Sequence, residues 1–203
     1  MTARVRAALA IGLSLVGLVV LSLSIEGDPV PAWEHDLVVA STDVPTVLGL
    51  VARGPMVLAT RWTTPVVAAV VYFLTRSRAA ALATLVAGLA ASLSIGVLKD
   101  WVERPRPDDV HLRDHADGFG FPSGHTAVAC AIAAAVAPHL PRRWRWAPYA
   151  LAAMVGWARL HVGVHYPLDV VGGALWGLAL GWAIAALGWF RAHEPTPPPA
   201  TGM

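Results

Sequence analysis

Charged side chains are scarce in this sequence: 14% of its 203 residues are Asp, Glu, Lys or Arg, whereas 56% are hydrophobic. Because a soluble domain carries about 25% charged residues, the composition argues against an ordinary water-soluble enzyme and against disorder. A formal net charge of +2 is too small for a nucleic-acid-binding face, so no nucleic-acid partner is expected. The single cysteine, Cys130, excludes an internal disulfide, and its alanine-rich apolar surroundings predict a buried position.

Long apolar runs are what the sequence has in abundance. A helix needs about 20 apolar residues to cross a bilayer. The candidate runs are Ala7–Ile25, Pro55–Leu74, Ala79–Leu98, Pro122–Leu140, Ala147–Val164 and Val170–Phe190. Backbone polar groups in lipid must be satisfied internally, so the runs predict α-helices. We expect an all-α, multi-pass membrane protein in which residues 1–191 form one six-span domain and the Pro-rich residues 192–203 form a disordered cytoplasmic tail.

The arginines predict how the spans are oriented. The short connections 75–78 and 142–145 are rich in arginine and are cytoplasmic under the positive-inside rule. Both chain termini are then cytoplasmic as well. Arg4 and Arg6 before the first run would also suit a signal peptide. That run is long for a signal peptide, however, and the weak cleavage site Ser22-Leu23-Ser24 lies inside it, so we favour an uncleaved anchor.

The acidic segment Glu26–Arg53, which several prolines interrupt, has two interpretations. It is either a partly helical segment lying at the outer membrane interface or a lid near a lipid entrance, and we favour the first as the simpler. Trp176 and Trp182 fall in the middle of a predicted span, where we expect them to pack between helices.

Ionisable residues gather at the outward ends of the last four predicted spans. Such residues are costly at a membrane and therefore call for a functional hypothesis. Lys99, the only lysine, ends the third span and is followed by Arg104 and Arg106. The fourth span opens with Pro122-Ser123-Gly124-His125. We expect Pro122 at the first helical position, with the free N–H groups of the next three residues forming an anion site at the positive end of the helix.

The junction between the fifth and sixth spans carries Arg159, His161, His165 and Asp169. Pro167 keeps the preceding residue out of helical angles, so the sixth helix should begin at Pro167. Asp169 then lies in its first turn, four residues after His165, and can hold the imidazole in one tautomer.

The cations near these histidines suit a phosphoryl group, whose charge must be stabilised in the transition state. Arginine supplies bidentate geometry and lysine supplies a point charge. The sequence has no Walker-type glycine loop and no paired Asp motif, so a nucleotide-dependent mechanism has no support.

These residues resemble the motifs of the type 2 phosphatidic acid phosphatase superfamily, which shares its site with vanadium haloperoxidases. The first motif, lysine followed after six residues by Arg-Pro, matches Lys99 through Arg106-Pro107. The second, Pro-Ser-Gly-His, matches residues 122–125. The third, Ser-Arg with a later His and Asp, matches Arg159, His165 and Asp169, except that Ala158 stands where serine is common.

The resemblance implies a role for each residue. His165 would be the nucleophile that forms a phosphohistidine, Asp169 would orient it, and His125 would be the general acid and base. The residues that would hold the phosphate oxygens are Lys99, Arg106, Ser123, Gly124 and Arg159. No metal or other cofactor is implied.

The resemblance also implies a substrate, which would be a lipid phosphate in the outer leaflet of the cell membrane. The candidates are a polyprenyl diphosphate, phosphatidic acid and phosphatidylglycerol phosphate, and we slightly favour the first.

Some alternatives stay open at this stage. A phosphotransferase would use the same residues, whereas a transporter or a non-catalytic binding protein would be a different class. His111 and His115 lie four residues apart in an acidic loop but lack the intervening glutamate of a zinc-protease motif, so we do not expect a metal site there. Arg104 is either a second phosphate contact or an ordinary loop charge, and we favour the loop charge.

Overall fold

The computed structural model of the chain describes residues 2–27, 29–45, 54–108, 110, 114 and 116–192. Within these ranges the regular structure is entirely helical, as predicted. The helices are α1 (Ala3–Ile25), α2 (Ala32–Thr42), α3 (Thr64–Thr75), α4 (Arg78–Val102), α5 (Gly124–Val136), α6 (Ala147–His161) and α7 (Pro167–Ala192), with single 3₁₀ turns at Ala137–His139 and Arg142–Trp144. The predicted disordered tail, residues 192–203, lies outside the described residues apart from its first residue.

Helices α5 and α7 pack at backbone distance because α7 presents a row of glycines to α5. A Cβ at Gly173, Gly177 or Gly181 would collide with the carbonyl oxygens of Ser123, Ala127 and Ala131 respectively. Small residues spaced four apart allow this close approach of two helices in a membrane. The glycine row thus sets the distance between the helix that begins beside Ser123 and the helix whose first turn holds Asp169.

Other helices complete the bundle around this pair. α4 packs against α5, and their shared core includes Ala91, Ile95 and Ala131. α1 runs along α7, with Leu18 buried in a cluster that includes Phe121. Cys130 is buried, as predicted.

The two mid-span tryptophans serve helix packing, as predicted. The indole N–H of Trp176 donates to Ser94 Oγ on α4 at 2.9 Å, and that of Trp182 donates to the hydroxyl of Tyr149 on α6 at 3.3 Å. Each bond satisfies a polar atom inside an otherwise apolar contact.

The second predicted span, Pro55–Leu74, is not one continuous helix. A helical turn at 54–57 is followed by turns and bends, and α3 begins only at Thr64. Local side-chain bonds explain the break: the hydroxyl of Thr63 donates to the carbonyl of Val57 at 2.9 Å, and that of Thr64 donates to the carbonyl of Thr60 at 2.7 Å. Pro65, in the first turn, suits a helix start there because its missing N–H is not needed.

The surface of the bundle is apolar, as expected for a protein in a membrane. Leu13, Leu74, Leu93 and Val97 are each more than 70% exposed, and exposed apolar area of this kind marks contact with lipid or with another protein. Among the described residues, the segments Val5–Ile25, Arg78–Val102 and Pro167–Leu187 are long and apolar enough to cross a bilayer, whereas α3 is apolar but shorter.

Helix α2 packs onto the end of the bundle where α6 ends and α7 begins. His161 Nδ1, on α6, donates to the carbonyl oxygen of Ser41 at 2.7 Å, and the N–H of Leu168, on α7, donates to Glu34 at 2.9 Å. Helix α2, which lies within the segment Glu26–Arg53, is therefore hydrogen-bonded to the bundle rather than merely lying at an interface. Residues 46–53 of that segment lie outside the described ranges.

Candidate active site

The predicted site residues come together at one end of the bundle. Lys99 lies in the last turn of α4, His125 in the first turn of α5, Arg159 in the last turn of α6 and Asp169 in the first turn of α7. Because successive helices run in opposite directions, these four helix ends meet. α7 begins at Pro167 and holds Asp169 in its first turn, as predicted.

His165 and Asp169 form a buried hydrogen-bonded pair. The side chains are 2% and 0% exposed, and His165 Nδ1 lies 3.3 Å from Asp169 Oδ2. The same carboxylate oxygen accepts the N–H of Tyr166 at 2.9 Å. The pair therefore adopts the arrangement that the spacing predicted, in which the carboxylate holds the imidazole ring from its Nδ1 side.

Arg106 lies at the Nε2 edge of the His165 ring, away from the Nδ1 edge that contacts Asp169. Its Nη1 is 3.2 Å from His165 Nε2 and donates to the carbonyl of Val164 at 2.8 Å. A guanidinium group only donates hydrogen bonds, so Nε2 must accept and the ring proton must reside on Nδ1, facing Asp169. In this tautomer the Nε2 lone pair points toward the arginine, where a phosphoryl group bound by Arg106 would lie.

Burial determines the protonation state of His165. Removal from water lowers its pKa to about 3, even though the hydrogen bond and charge of Asp169 act in the opposite direction. The cation Arg159 contributes to the lowering. The imidazole is therefore neutral near pH 7, which is the state that a nucleophile requires.

The three cations Lys99, Arg106 and Arg159 bond to groups that a phosphate could replace. Arg106 donates to the carbonyls of Asp117 and Gly118, and Lys99 Nζ donates to the carbonyl of Phe119. Arg159 donates to Asp114 Oδ2 at 3.2 Å. Among the described residues its buried Nε has no hydrogen-bond partner, so this donor remains for a ligand.

The helix start at residues 122–125 differs from the prediction. α5 begins at Gly124 with Ser123 as its N-cap, so Pro122 precedes the helix instead of occupying its first position. The N–H of Ser123 is not free, because it donates to the carbonyl of Asp169 at 2.9 Å. The Ser123 hydroxyl accepts from Thr126 Oγ1 at 3.1 Å.

The N–H groups of Gly124 and His125 remain as the anion-facing donors, since the first turn of a helix has no intrahelical partners for them. His125 is half-buried, and the charges that act on it are those of Arg159, Asp114, Arg106 and Lys99. The positive end of α5 therefore faces the same space as the three cations.

The prediction that Arg104 is an ordinary loop charge is wrong. Its side chain is 3% exposed and lies behind Asp169, where Nη1 donates to Asp169 Oδ1 at 2.8 Å. Both of its terminal nitrogens also bond Glu34 of α2, whose side chain is fully buried. Burial alone would lower the pKa of Arg104, but the hydrogen bonds to Glu34 and Asp169 and their charges raise it overall, so the arginine stays cationic.

Sequence reasoning missed two residues of this site. Glu34 is not singled out by the sequence because it is one of several acids in the segment Glu26–Arg53, and no local pattern distinguishes it from its neighbour Asp36. Gly120 was missed because its role depends on a close approach: a Cβ there would lie 2.9 Å from Asp169 Oδ2 and 3.1 Å from the carbonyl oxygen of Pro105.

Within the described part of the chain, no cluster of three or more His, Cys, Asp or Glu side chains is placed to hold a metal ion. His111 and His115, the pair considered for a metal, lie outside that part. His161 instead bonds helix α2, and its ring stacks on Trp157 with the ring centroids 5.3 Å apart.

A family comparison identifies this arrangement. The model of the PAP2 superfamily matches residues 79–192, more than half of the chain and all of the predicted motifs. The chain belongs to the PAP2 superfamily. PAP2 membership accounts for the convergence of three motifs that are separated by up to 70 residues in sequence.

Several curated proteins are similar to this PAP2 chain. Phosphatidylglycerophosphatase B of Bacillus subtilis is 39% identical over 94 residues, which are 41% of this chain and 46% of that protein. Lipid A 1-phosphatase of Rhizobium etli is 39% identical over 104 residues, 47% of this chain and 41% of that protein. Undecaprenyl-diphosphatase BcrC of Bacillus subtilis is 35% identical over 82 residues, 38% of this chain and 42% of that protein. The matched stretches thus span less than half the length of these relatives.

A solved PAP2 structure is similar over nearly its whole length. It is the crystal structure of the first transmembrane PAP2-type phosphatidylglycerolphosphate phosphatase from Bacillus subtilis. The TM-score is 0.73 at 27% identity, and the match covers 91% of this chain and 97% of that one. The all-helical bundle is therefore that of a PAP2 membrane phosphatase, which supports a membrane location.

Proposed function

We propose that this PAP2 chain is a membrane lipid-phosphate phosphatase that hydrolyses its substrate through a phosphohistidine on His165. The observation that carries the proposal is the placement of the His165 ring, which is held at Nδ1 by Asp169 and faced at Nε2 by Arg106. Burial lowers the pKa of this ring, which favours the neutral form that attack requires. Three curated relatives whose names denote lipid phosphatases support the substrate class.

The site geometry supports a two-step reaction. In the first step the Nε2 lone pair of His165 attacks phosphorus, the bond from phosphorus to the lipid oxygen breaks, and His125 gives that oxygen a proton. In the second step water attacks the phosphohistidine, His125 takes a proton from the water, and inorganic phosphate leaves with neutral His165 restored. Lys99, Arg106 and Arg159 stabilise the charge on the phosphoryl oxygens, together with the backbone N–H groups of Gly124 and His125.

The distribution of charge supports a site on the outer face. Arg76 and Arg142–Arg145 lie between helices at the end of the bundle opposite His165. Positive connections are retained in the cytoplasm, so we propose six spans with both termini cytoplasmic and the site extracytoplasmic. The 3₁₀ turn after α5 and the helical turn before α3 extend two of the shorter helices toward span length.

An apolar groove next to the site supports a lipid substrate. The groove, about 140 Å³ in volume, is lined on α5 by Ala129 and Ala133 and on α6 by Val155 and Ala152. Ala129 and Ala133 follow His125 at four-residue spacing on one helix face, and Val155 precedes Arg159 by four residues on the other helix. A hydrocarbon tail in this groove would hold its phosphate between His125 and Arg159.

Phosphate release from a panel of lipid phosphates tests this function. The purified protein in detergent would be assayed with a polyprenyl diphosphate, phosphatidic acid, phosphatidylglycerol phosphate and lipid A. The His165→Ala variant should lose all measurable turnover, whereas His139→Ala, an exposed histidine at the opposite end of the bundle, should retain it. Full activity in His165→Ala would overturn the mechanism, and transfer of phosphate to an alcohol acceptor without free phosphate would identify a phosphotransferase instead.

A further inference from the structure

Behind the His165–Asp169 pair lies a second, fully buried pair of opposite charges that the reaction itself does not use. Arg104 Nη1 bridges Asp169 Oδ1 at 2.8 Å and Glu34 Oε2 at 3.3 Å, and Arg104 Nη2 bonds Glu34 Oε1. All three side chains are at most 3% exposed. Glu34 reaches this position from α2, 70 residues before Arg104 in the sequence.

We propose that Glu34 and Arg104 are positioning residues for His165, acting through Asp169. This inference rests on the proposed phosphohistidine mechanism and adds two residues to it. It makes two physical claims, one about geometry and one about charge.

The geometric claim concerns which oxygen of Asp169 faces the imidazole. Arg104 bonds Oδ1, while Oδ2 accepts from His165 Nδ1 and from the N–H of Tyr166. With Oδ1 bound on the far side, the carboxylate cannot rotate away from the ring. Glu34 in turn holds both terminal nitrogens of Arg104, so the guanidinium is locked in the plane that reaches Asp169.

The charge claim concerns the imidazole during the reaction. When Nε2 attacks phosphorus, positive charge develops on the ring, and Asp169 stabilises it. Arg104 alone would cancel the charge of Asp169. Glu34 offsets Arg104, so the three groups together keep one negative charge beside His165. In a buried site, where charges are weakly screened, this net charge matters for the transition state.

The test separates positioning from phosphate binding and from folding. The variants are Glu34→Gln, Arg104→Met and the double variant, with Asp36→Asn as the matched control because Asp36 is an exposed carboxylate on the same helix. Turnover number, KM and the inhibition constant of inorganic phosphate are measured for each. Inorganic phosphate reports on Lys99, Arg106 and Arg159, which the variants leave in place.

We expect kcat to fall at least tenfold in Glu34→Gln and further in Arg104→Met, while KM and the phosphate inhibition constant stay within twofold of the parent values. The double variant should be no slower than Arg104→Met, because Glu34 acts on the site through Arg104. It also keeps the test decisive if a single variant fails to fold, since it removes both charges of the buried Glu34–Arg104 pair instead of leaving one of them without the other. Asp36→Asn should match the parent chain.

Three results would overturn the positioning role. They are an unchanged kcat, a loss of kcat matched by an equal weakening of phosphate inhibition, and losses that multiply in the double variant. His165→Ala, run in parallel, distinguishes the two hypotheses. If it stays active the phosphohistidine mechanism fails, whereas if it is inactive while Glu34→Gln and Arg104→Met are not, only the positioning role fails.

Discussion

Charged side chains lie on both sides of the His165–Asp169 pair, but the two sets differ in their hydrogen-bond partners and in their burial. The cation side consists of Lys99, Arg106 and Arg159, whose donors bond mainly backbone carbonyls and the partly exposed carboxylate of Asp114. The carboxylate side consists of Glu34 and Arg104, which bond each other in full burial, and Arg104 also bonds Asp169. A phosphate can replace a carbonyl or an exposed carboxylate at little cost, but a closed buried pair has nothing to exchange. In the proposed mechanism the first set would bind the phosphate and the second would position His165.

Removing a donor from the cation side should have the largest effect. Arg159→Gln takes away the charge and the unpaired Nε that would face the phosphoryl oxygens in the proposed mechanism. Loss of one preorganised donor costs about 10²–10³-fold in rate, and we expect that loss in kcat/KM measured by phosphate release. The exposed Arg61 provides the matched control, and Arg61→Gln should keep parental activity. A loss of less than tenfold in Arg159→Gln would show that this arginine is not a phosphate ligand.

Because His165 is buried with Asp169, the free energy of unfolding should depend on pH. The pKa of His165 is about 3 in the folded chain against an ordinary value of 6.5. Between these values the unfolded chain binds a proton that the folded chain does not, so the free energy of unfolding falls as the pH is lowered from 6.5 toward 3. The slope approaches about 1.4 kcal/mol per pH unit.

Comparison with His165→Asn isolates that contribution, because the other titrating groups are common to both chains. We expect the Tm of the parent relative to the variant to fall steadily between pH 6.5 and pH 4 in thermal unfolding of the detergent-solubilised proteins. A Tm difference that does not change with pH would mean that the imidazole exchanges protons freely with solvent.

The smallest effect should come from replacing Asp114, the ion-pair partner of Arg159. Asp114 accepts a hydrogen bond from Arg159, and in the proposed mechanism it would compete with phosphate for this arginine. An ion pair with one partner 40% exposed is worth about 0.2–1 kcal/mol. Asp114→Asn should therefore tighten inhibition by inorganic phosphate by up to about fivefold with little change in kcat, whereas Asp36→Asn should leave it unaltered. Weaker inhibition in Asp114→Asn would mean that this carboxylate helps to build the site, as Glu34 does.

The parts of the site that the sequence predicted are those that short-range rules control. The start of α7 at Pro167 follows from the stereochemistry of the residue before proline, and the contact of His165 with Asp169 follows from their four-residue spacing. The positions of Lys99, Arg106 and Arg159 near one another follow from motif order and from the antiparallel arrangement of neighbouring spans.

The parts that were missed depend on contacts between distant segments. The prediction that Arg104 is a loop charge fails because its partner Glu34 lies on a helix whose position no local pattern predicts. The prediction of a free Ser123 N–H fails because the carbonyl of Asp169 accepts it, and nothing in the tetrapeptide indicates that contact. The late start of α3 depends on threonine hydroxyls that bond their own turn, which an apolar run conceals.

The glycine row on α7 has a consequence for how this protein could be redesigned. α5 meets α7 through the face that carries Ala127 and Ala131, and it lines the apolar groove with Ala129 and Ala133. The spacing of His125 and Asp169 is thus set on one side of a single helix, and the room for a hydrocarbon chain on another. Larger or smaller side chains at the groove could change which lipid tails are accepted while the reacting groups keep their distance.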